Sequence, residues 1–266
     1  MNNEAKAIIR ELERVTAIGA GQNQVFDDWL EITHATLQRL PAHLRAARLG
    51  EPLTDTPETV TLWERLKVRY NRPYCWEHFS KAFVILLESA WQIDDTLGQV
   101  YMDWGIPNKY SGQFFTPFPV ARLMAGMTTG PEMVYQRLQT AYEQSSYGAI
   151  HKLLSPDRIP DFVRKMGADL VPLCAEFIQP LTICDPCCGS GVMFLAAAET
   201  FERWMLDWGL VQFYGMDIDR TCVMMAQVNM MIYGLNGFSL KCALELSQAE
   251  LQAVPEPWQA KYAEAQ

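Results

Sequence analysis

The sequence has no apolar run long enough to span a membrane and no charged-then-apolar leader at its N-terminus. Both absences predict a soluble, cytoplasmic protein. It has no basic excess either: 22 Lys and Arg stand against 31 Asp and Glu, a net charge of −9. Affinity for nucleic acid is dominated by phosphate neutralisation, so an acidic chain argues against a free-standing DNA binder. There is no internal repeat and no low-complexity segment. There is no pattern of a disulfide framework: three of the seven cysteines crowd together at Cys184, Cys187 and Cys188, as reduced thiols do. No second Cys-x-x-Cys and no His pair stands near them, which argues against a zinc site, since structural zinc needs four converging ligands. They read as small packing residues.

What is present is material for a core. Apolar residues make up 49% of 266, enough for one large domain or two modest ones. The chain is organised around residues 185–199. The apolar run Leu181-Thr182-Ile183-Cys184 predicts a short buried strand. A helical pattern follows, with Leu195, Ala198, Phe201 and Met205 on one face. Between them lies Asp185-Pro186-Cys187-Cys188-Gly189-Ser190-Gly191. Strand, glycine turn and helix begin a nucleotide-binding α/β unit. Gly189 and Gly191 allow a sharp bend and close approach of a ligand. Ser190 is placed to cap the helix, whose N–H groups and dipole end would face a carboxylate or phosphate.

The pattern Asp-Pro-x-Cys-Gly-Ser-Gly resembles the S-adenosylmethionine (SAM) loop of adenine-N6 DNA methyltransferases, especially the modification subunits of type I restriction-modification systems. A second stretch carries the same resemblance. Asp95-Thr96-Leu97-Gly98-Gln99-Val100-Tyr101 matches the family's D-x-L-G-x-x-Y helix end, and Gly112-Gln113-Phe114-Phe115-Thr116-Pro117 its G-x-F-F/Y-T-P turn. The resemblance implies a SAM-dependent methyltransferase (Rossmann-like) α/β fold with SAM as cofactor. It implies that Asp185 faces the methionyl amino group, beside Pro186 and Cys187. Gly189, Ser190 and Gly191 would line the cofactor. Phe115, Thr116 and Pro117 would close over it, with Phe114 behind. An aromatic ring can cover apolar ligand surface while a threonine hydroxyl orients a polar end.

The rest of the chain fits around these two stretches. Residues 1–93 predict an all-helical N-terminal region. Gly19 and Gly21 separate its first two helices, Thr56 or Asp55 with Pro57 starts a third, and Pro73 stops that one. A very apolar helix from about Trp76 to Trp91 turns Phe79, Phe83, Leu86 and Leu87 inward. Residues 94–266 predict the SAM-binding domain, with a helical insertion at about 131–180. Leu210 to Met216 predicts the second strand, and Asp217 at its end takes the place of an acid that accepts from ribose hydroxyls. By resemblance Asp217 is the ribose ligand, with Met216 and Ile218 flanking the adenine. Asp219 caps the next helix, which turns Val223, Ala226, Met230 and Tyr233 inward and ends at Gly234. Phe238 to Cys242 predicts a third strand. Relatives usually place an acid just after it; here Cys242 and Ala243 stand there and Glu245 is the nearest. The last residues, 246–266, predict one amphipathic helix.

The family also carries an Asn/Asp-Pro-Pro-Tyr/Phe loop that holds the target adenine, flipped from the duplex, for in-line methyl transfer. The sequence has none, nor a recognisable base-reading domain. Its nearest imitation is Asn71-Arg72-Pro73-Tyr74, so Asn71 and Tyr74 are the weak catalytic candidates. The expected sheet is incomplete, three parallel strands, with the open side of the first covered by a segment of this chain or by a protein partner or second copy. The basic residues Arg39, Arg45, Arg48, Arg65, Lys67, Arg69 and Arg72 are either a solvated helix face or a DNA-tracking surface. Three functions compete: a DNA-modification chain needing a partner for catalysis, a non-catalytic SAM-binding regulator, decoy or anti-restriction module, and a stand-alone methyltransferase with an unrecognised loop.

Overall fold

The computed structural model describes residues 3–106 and 114–241. Five helices come first: α1 (Asn3–Thr16), α2 (Gln22–Leu49), α3 (Pro57–Arg69), α4 (Pro73–Ser89) and α5 (Thr96–Asp103). Each break has a local cause. Gly19 takes a left-handed turn after α1, and Thr56 caps α3 by accepting from the Thr59 amide at 3.3 Å. Pro73 opens α4 from its first turn, where a missing N–H costs nothing. On α4, Phe79 and Leu86 are buried and Phe83 is half-buried, but Leu87 is exposed, contrary to the inward face read for it, and Trp91 lies beyond the helix in solvent. Leu87 sits one residue past Leu86, about 100° round the helix and off the buried stripe.

The second half begins with α6 (Phe118–Thr128), α7 (Pro131–Gln144), α8 (Ser146–Leu154), α9 (Ile159–Met166) and α10 (Val171–Cys174). It continues with β1 (Leu181–Asp185), α11 (Val192–Ala198), α12 (Arg203–Asp207), β2 (Val211–Asp217), α13 (Arg220–Tyr233) and β3 (Asn236–Lys241). Pro156 breaks the 131–180 segment, whereas Pro160 sits harmlessly in the first turn of α9. The pattern after the glycine loop resolves into two helices, α11 and α12, although Leu195, Ala198, Phe201 and Met205 are all buried as expected. The expected helix over 246–266 lies outside the described residues.

The described sheet has three parallel strands in the order β1-β2-β3, with Ile183 opposite Phe213 and Tyr214 opposite Phe238. Among the described residues, helices cover one face only. Leu181, Val211 and Phe213 are buried there with residues of α6, α7, α9 and α11. On the other face Thr182 and Cys184 are exposed and Gln212 and Tyr214 half-buried. The strand over 181–184 is therefore not buried as the sequence suggested. Among the described residues it pairs with β2 alone, and parallel strands become fully buried only when helices cover both faces. The 131–180 segment packs at its start, where Arg137 donates to the carbonyls of Gln179 and Pro180, both at 3.2 Å.

Two hydrophobic clusters form the core, one under the sheet and one among α1 to α5. Helix α13 belongs to both. Ala226, Met230 and Tyr233 face the sheet, while Cys222, Met224, Met225 and Val228 face the helical cluster, which also takes Leu97, Val100 and Tyr101 of α5. A helix apolar nearly all round is a buried one. Met225 and Val228 are fully buried, a placement that contributes about 1.5–3 kcal/mol for each such side chain. Asn229 is the buried polar exception on α13, and α5 lies against it.

Candidate functional site

The loop between β1 and α11 is held by its own backbone. The Asp185 carboxylate accepts from the Cys187 amide at 3.0 Å, a local turn typical of aspartate. The Cys188 amide donates to the carbonyl of Met216 at 2.9 Å, which ties the loop to the end of β2. The Gly189 amide donates to one Asp217 oxygen at 2.9 Å, and the other Asp217 oxygen accepts from the Asp219 amide at 2.9 Å. Asp219 in turn caps α13, accepting from the Thr221 amide at 2.8 Å. Gly189 and Gly191 have φ of 52° and 84°, left-handed conformations that a side chain would strain.

Phe115 closes the loop from outside. A Cβ at Gly189 would stand 3.1 Å from its ring, so the ring rests directly on the glycine. Behind it the ring stacks on Tyr101 of α5, centroids 5.3 Å apart and planes 17° from parallel. The half-buried Thr116 and the exposed Pro117 follow. The Pro117 carbonyl accepts from the Val120 and Ala121 amides, so Pro117 starts α6. A cavity of about 480 Å³ opens here, lined by Phe115, Thr116, Asp185, Cys187, Gly189 and the apolar Met193, among others. Five residues expected to meet at a cofactor thus meet at one cavity, although 70 residues separate Phe115 from Asp185.

The other expected residues stand outside the cavity lining. Pro186 is exposed on the loop, and Ile218 is 76% exposed beyond β2. Gly191 is buried against Ala226, where a Cβ would come within 3.3 Å. Asp217 sits beneath the loop, engaged with two amides. Ser190 departs most from expectation. It does not cap α11, whose N-cap is Gly191 with no side-chain bond. It is fully buried and donates its hydroxyl to Asp95 at 2.6 Å, because the left-handed turns on either side point it inward. Nor is the loop an open amide cradle for an anion. The amides of Cys187, Cys188, Gly189 and Gly191 all donate within the protein.

Charge confirms that polarity. Burial raises the Asp185 carboxyl above its ordinary pKa, and the charge of Asp217 adds to the effect. Among the described residues neither acid makes an ion pair with Lys or Arg. Burial, then the charges of Asp217 and Asp185, push the Cys188 thiol up to about 12, which keeps it protonated and unreactive. An acidic rim beside an aromatic cover and apolar wall suits a ligand with positive charge on an apolar body.

The imitation loop at residues 71–74 is not part of this cavity. Asn71 is exposed in the turn between α3 and α4. Tyr74 is in the first turn of α4, half-buried in the helical cluster with its ring 6.1 Å from that of His78. The basic stretch is partly spent inside the helical half as well. Arg39 bonds the Thr54 carbonyl, Arg65 pairs with Glu31, and Arg69 pairs with Asp28 at 2.5 Å. Tyr101, Asp95 and Asn229 hold the site but were not among the site residues expected from the sequence. The signal for the first two was the D-x-L-G-x-x-Y stretch; for Asn229 it was a polar residue within the apolar run Val228 to Ile232 of α13.

The fold is α/β, mostly helical around a small parallel sheet, and the site is an acidic glycine loop between a strand and a helix. Residues 160–252, about a third of the chain, match the family model described as N-6 DNA methylase. The match supports the adenine-N6 methyltransferase family and a DNA N6-methyltransferase-type function. No curated protein and no solved structure matches the chain. Among the described residues no helix is long and apolar enough to cross a membrane.

Proposed function

We propose that this chain binds SAM at the cavity between Phe115 and the 185–191 loop and takes part in DNA adenine-N6 modification. The observation that carries the reading is the meeting of Phe115, Thr116, Asp185 and Gly189 around one acidic cavity. SAM carries a sulfonium and an ammonium, and an uncompensated acid such as Asp185 suits them. Phe115 would cover the apolar part. Asp217 already accepts two amides and keeps lone pairs for ribose hydroxyls. Methyl donation is the chemistry SAM supplies; the residues named here bind and orient.

Catalysis on DNA calls for an adenine-holding loop, and the 266 residues contain no Asn-Pro-Pro-aromatic tetrapeptide. The reading is therefore of a SAM-binding component of a modification system whose catalytic loop is supplied from outside these residues. The one-sided sheet with β1 at its described edge gives a partner somewhere to sit, since exposed edge strands invite pairing. A second reading, a SAM-binding regulator or decoy without turnover, is favoured by the same missing tetrapeptide. Calorimetric titration with SAM, then transfer of labelled methyl to DNA with and without candidate partner chains, separates them. No heat of binding would remove the proposal. Binding without transfer under every pairing would select the second reading, and robust transfer by this chain alone would overturn both.

A further inference from the structure

We infer that Asp95, the N-cap residue of α5, is a positioning residue for the glycine loop, holding it through the Ser190 hydroxyl and so setting cofactor affinity. The inference rests on the SAM-binding reading above for its ligand, but on geometry for the latch. Asp95, Ser190 and Asn229 are 4%, 0% and 2% exposed and come from three separate elements. Ser190 donates to Asp95 Oδ2 at 2.6 Å, while Oδ1 accepts from the Gly98 amide at 3.0 Å and from Asn229 Nδ2 at 3.3 Å. The same Asn229 amide group donates to the Ser190 carbonyl at 2.8 Å, so both polar ends of the loop serine are gripped.

Gly98 makes the arrangement specific. A Cβ there would collide with the Asp95 carboxylate and stand 2.8 Å from Ser190 Oγ. The glycine of the Asp95-Thr96-Leu97-Gly98 stretch thus leaves the space in which carboxylate and hydroxyl meet. A capping aspartate alone would need no such room, since capping uses only the Gly98 amide. No ion pair with Lys or Arg joins the cluster among the described residues, and burial raises the Asp95 carboxyl above its ordinary value. A buried carboxylate held only by neutral donors depends on all of them, because each unmade bond exposes its full desolvation cost. Three residues beyond Gly98 on α5, Tyr101 backs the ring of Phe115, so one short helix supports the cavity both from beneath the loop and from behind its cover.

The test uses the full chain and SAM as the probe. Asp95→Asn keeps a good N-cap for α5 but turns an amide toward Ser190, and Ser190→Ala removes the hydroxyl with little change of volume. Each is expected to raise the Kd for SAM about tenfold at a temperature where the variant is fully folded. The double variant should be no weaker than the worse single one, because both remove the same bond. Amide exchange at Gly189 and Gly191 in the ligand-free protein should quicken in both single variants. A lower melting temperature with unchanged Kd would make the cluster a staple of the fold and overturn the inference, as would additive effects in the double variant. If Asp95→Asn fails to fold, Ser190→Ala alone decides. If the parent protein takes no SAM, the functional reading falls by itself. The exchange arm then stands alone: faster exchange at Gly189 and Gly191 upholds the latch, and unchanged exchange overturns it.

Discussion

Two buried aspartates show how differently the halves of this molecule treat charge. Asp28, on α2 in the helical half, is met by a cation. Arg69 donates at 2.5 Å, Tyr70 at 2.7 Å and Gln24 at 3.1 Å, tying α2 to α3. Burial raises the Tyr70 pKa, so its hydroxyl stays a donor throughout the physiological range. Asp95, at the join with the sheet half, is met only by a hydroxyl and amides. The acids of the loop, Asp185 and Asp217, likewise have no cation among the described residues. The helical half meets its buried Asp28 with a cation; among the described residues Asp95, Asp185 and Asp217 have none. Burying charge without a counter-ion costs stability, so acids held this way beside a cavity fit the proposed binding of a cationic ligand.

The contrast can be broken most forcefully at Asp28. Asp28→Ala should cost roughly 2–4 kcal/mol in denaturant unfolding, because it leaves the buried Tyr70 hydroxyl and the Arg69 guanidinium without their acceptor. SAM affinity of the folded fraction should be unchanged, and a stability loss within 0.5 kcal/mol would show that Asp28 is no staple. Asp217→Ala acts at the other end of the contrast. It should weaken SAM binding by about 1–3 kcal/mol, the scale for bonds to a charged acceptor, since it loses the Gly189 tether and the proposed ribose acceptor. Equal affinity in calorimetry would remove Asp217 from the site.

Asp185→Asn sharpens the comparison through pH. Its folded pKa is raised above the ordinary 3.8, so the folded state binds the proton more tightly than the unfolded chain. Ionised Asp185 therefore costs stability, a cost that grows as pH rises from near 3.8 through the folded value and is constant above it. Ligand-free Asp185→Asn should melt higher than the parent at pH 7, and the gap should close as pH falls toward 3.8. A gap that widens in acid would reverse the sign and contradict a half-buried carboxylate without a cation beside it. SAM affinity should fall in the same variant. The smallest effect belongs to Asn71→Ala. An exposed turn residue away from the cavity should shift stability by no more than about 0.5 kcal/mol and leave SAM binding alone. A tenfold loss of affinity would bring the Asn71 segment back as a site element.

Much of the fold could be read along the chain because the signals are local. Pro57 starts a helix, Gly234 ends one, and the acid at Asp219 caps one; each acts on neighbours within a turn, whereas Pro73, read as a stop, opens α4. The strand-loop-helix at 181–198 and the strand ending at Asp217 were legible for the same reason. The side from which helices cover the sheet was not, because a run such as Leu181-Thr182-Ile183-Cys184 is equally apolar whether one face or both are covered. The break after α11 was also hidden, since residues on either side of it keep one helical phase.

For the site, the sequence by itself determined which residue types were at hand: an acid and two glycines after one strand, an acid after the next, and an aromatic-threonine-proline turn far upstream. Glycine conformation and local hydrogen bonding fix these within a few residues. Only the tertiary structure decided where their side chains went. It laid Phe115 on Gly189, turned Ser190 away from the cavity to Asp95, and used most of the loop amides internally. Those outcomes depend on which buried donors find which buried acceptors across separations such as 95 residues between Asp95 and Ser190. Because a buried polar group left unpaired is costly, that pairing is settled by packing as a whole.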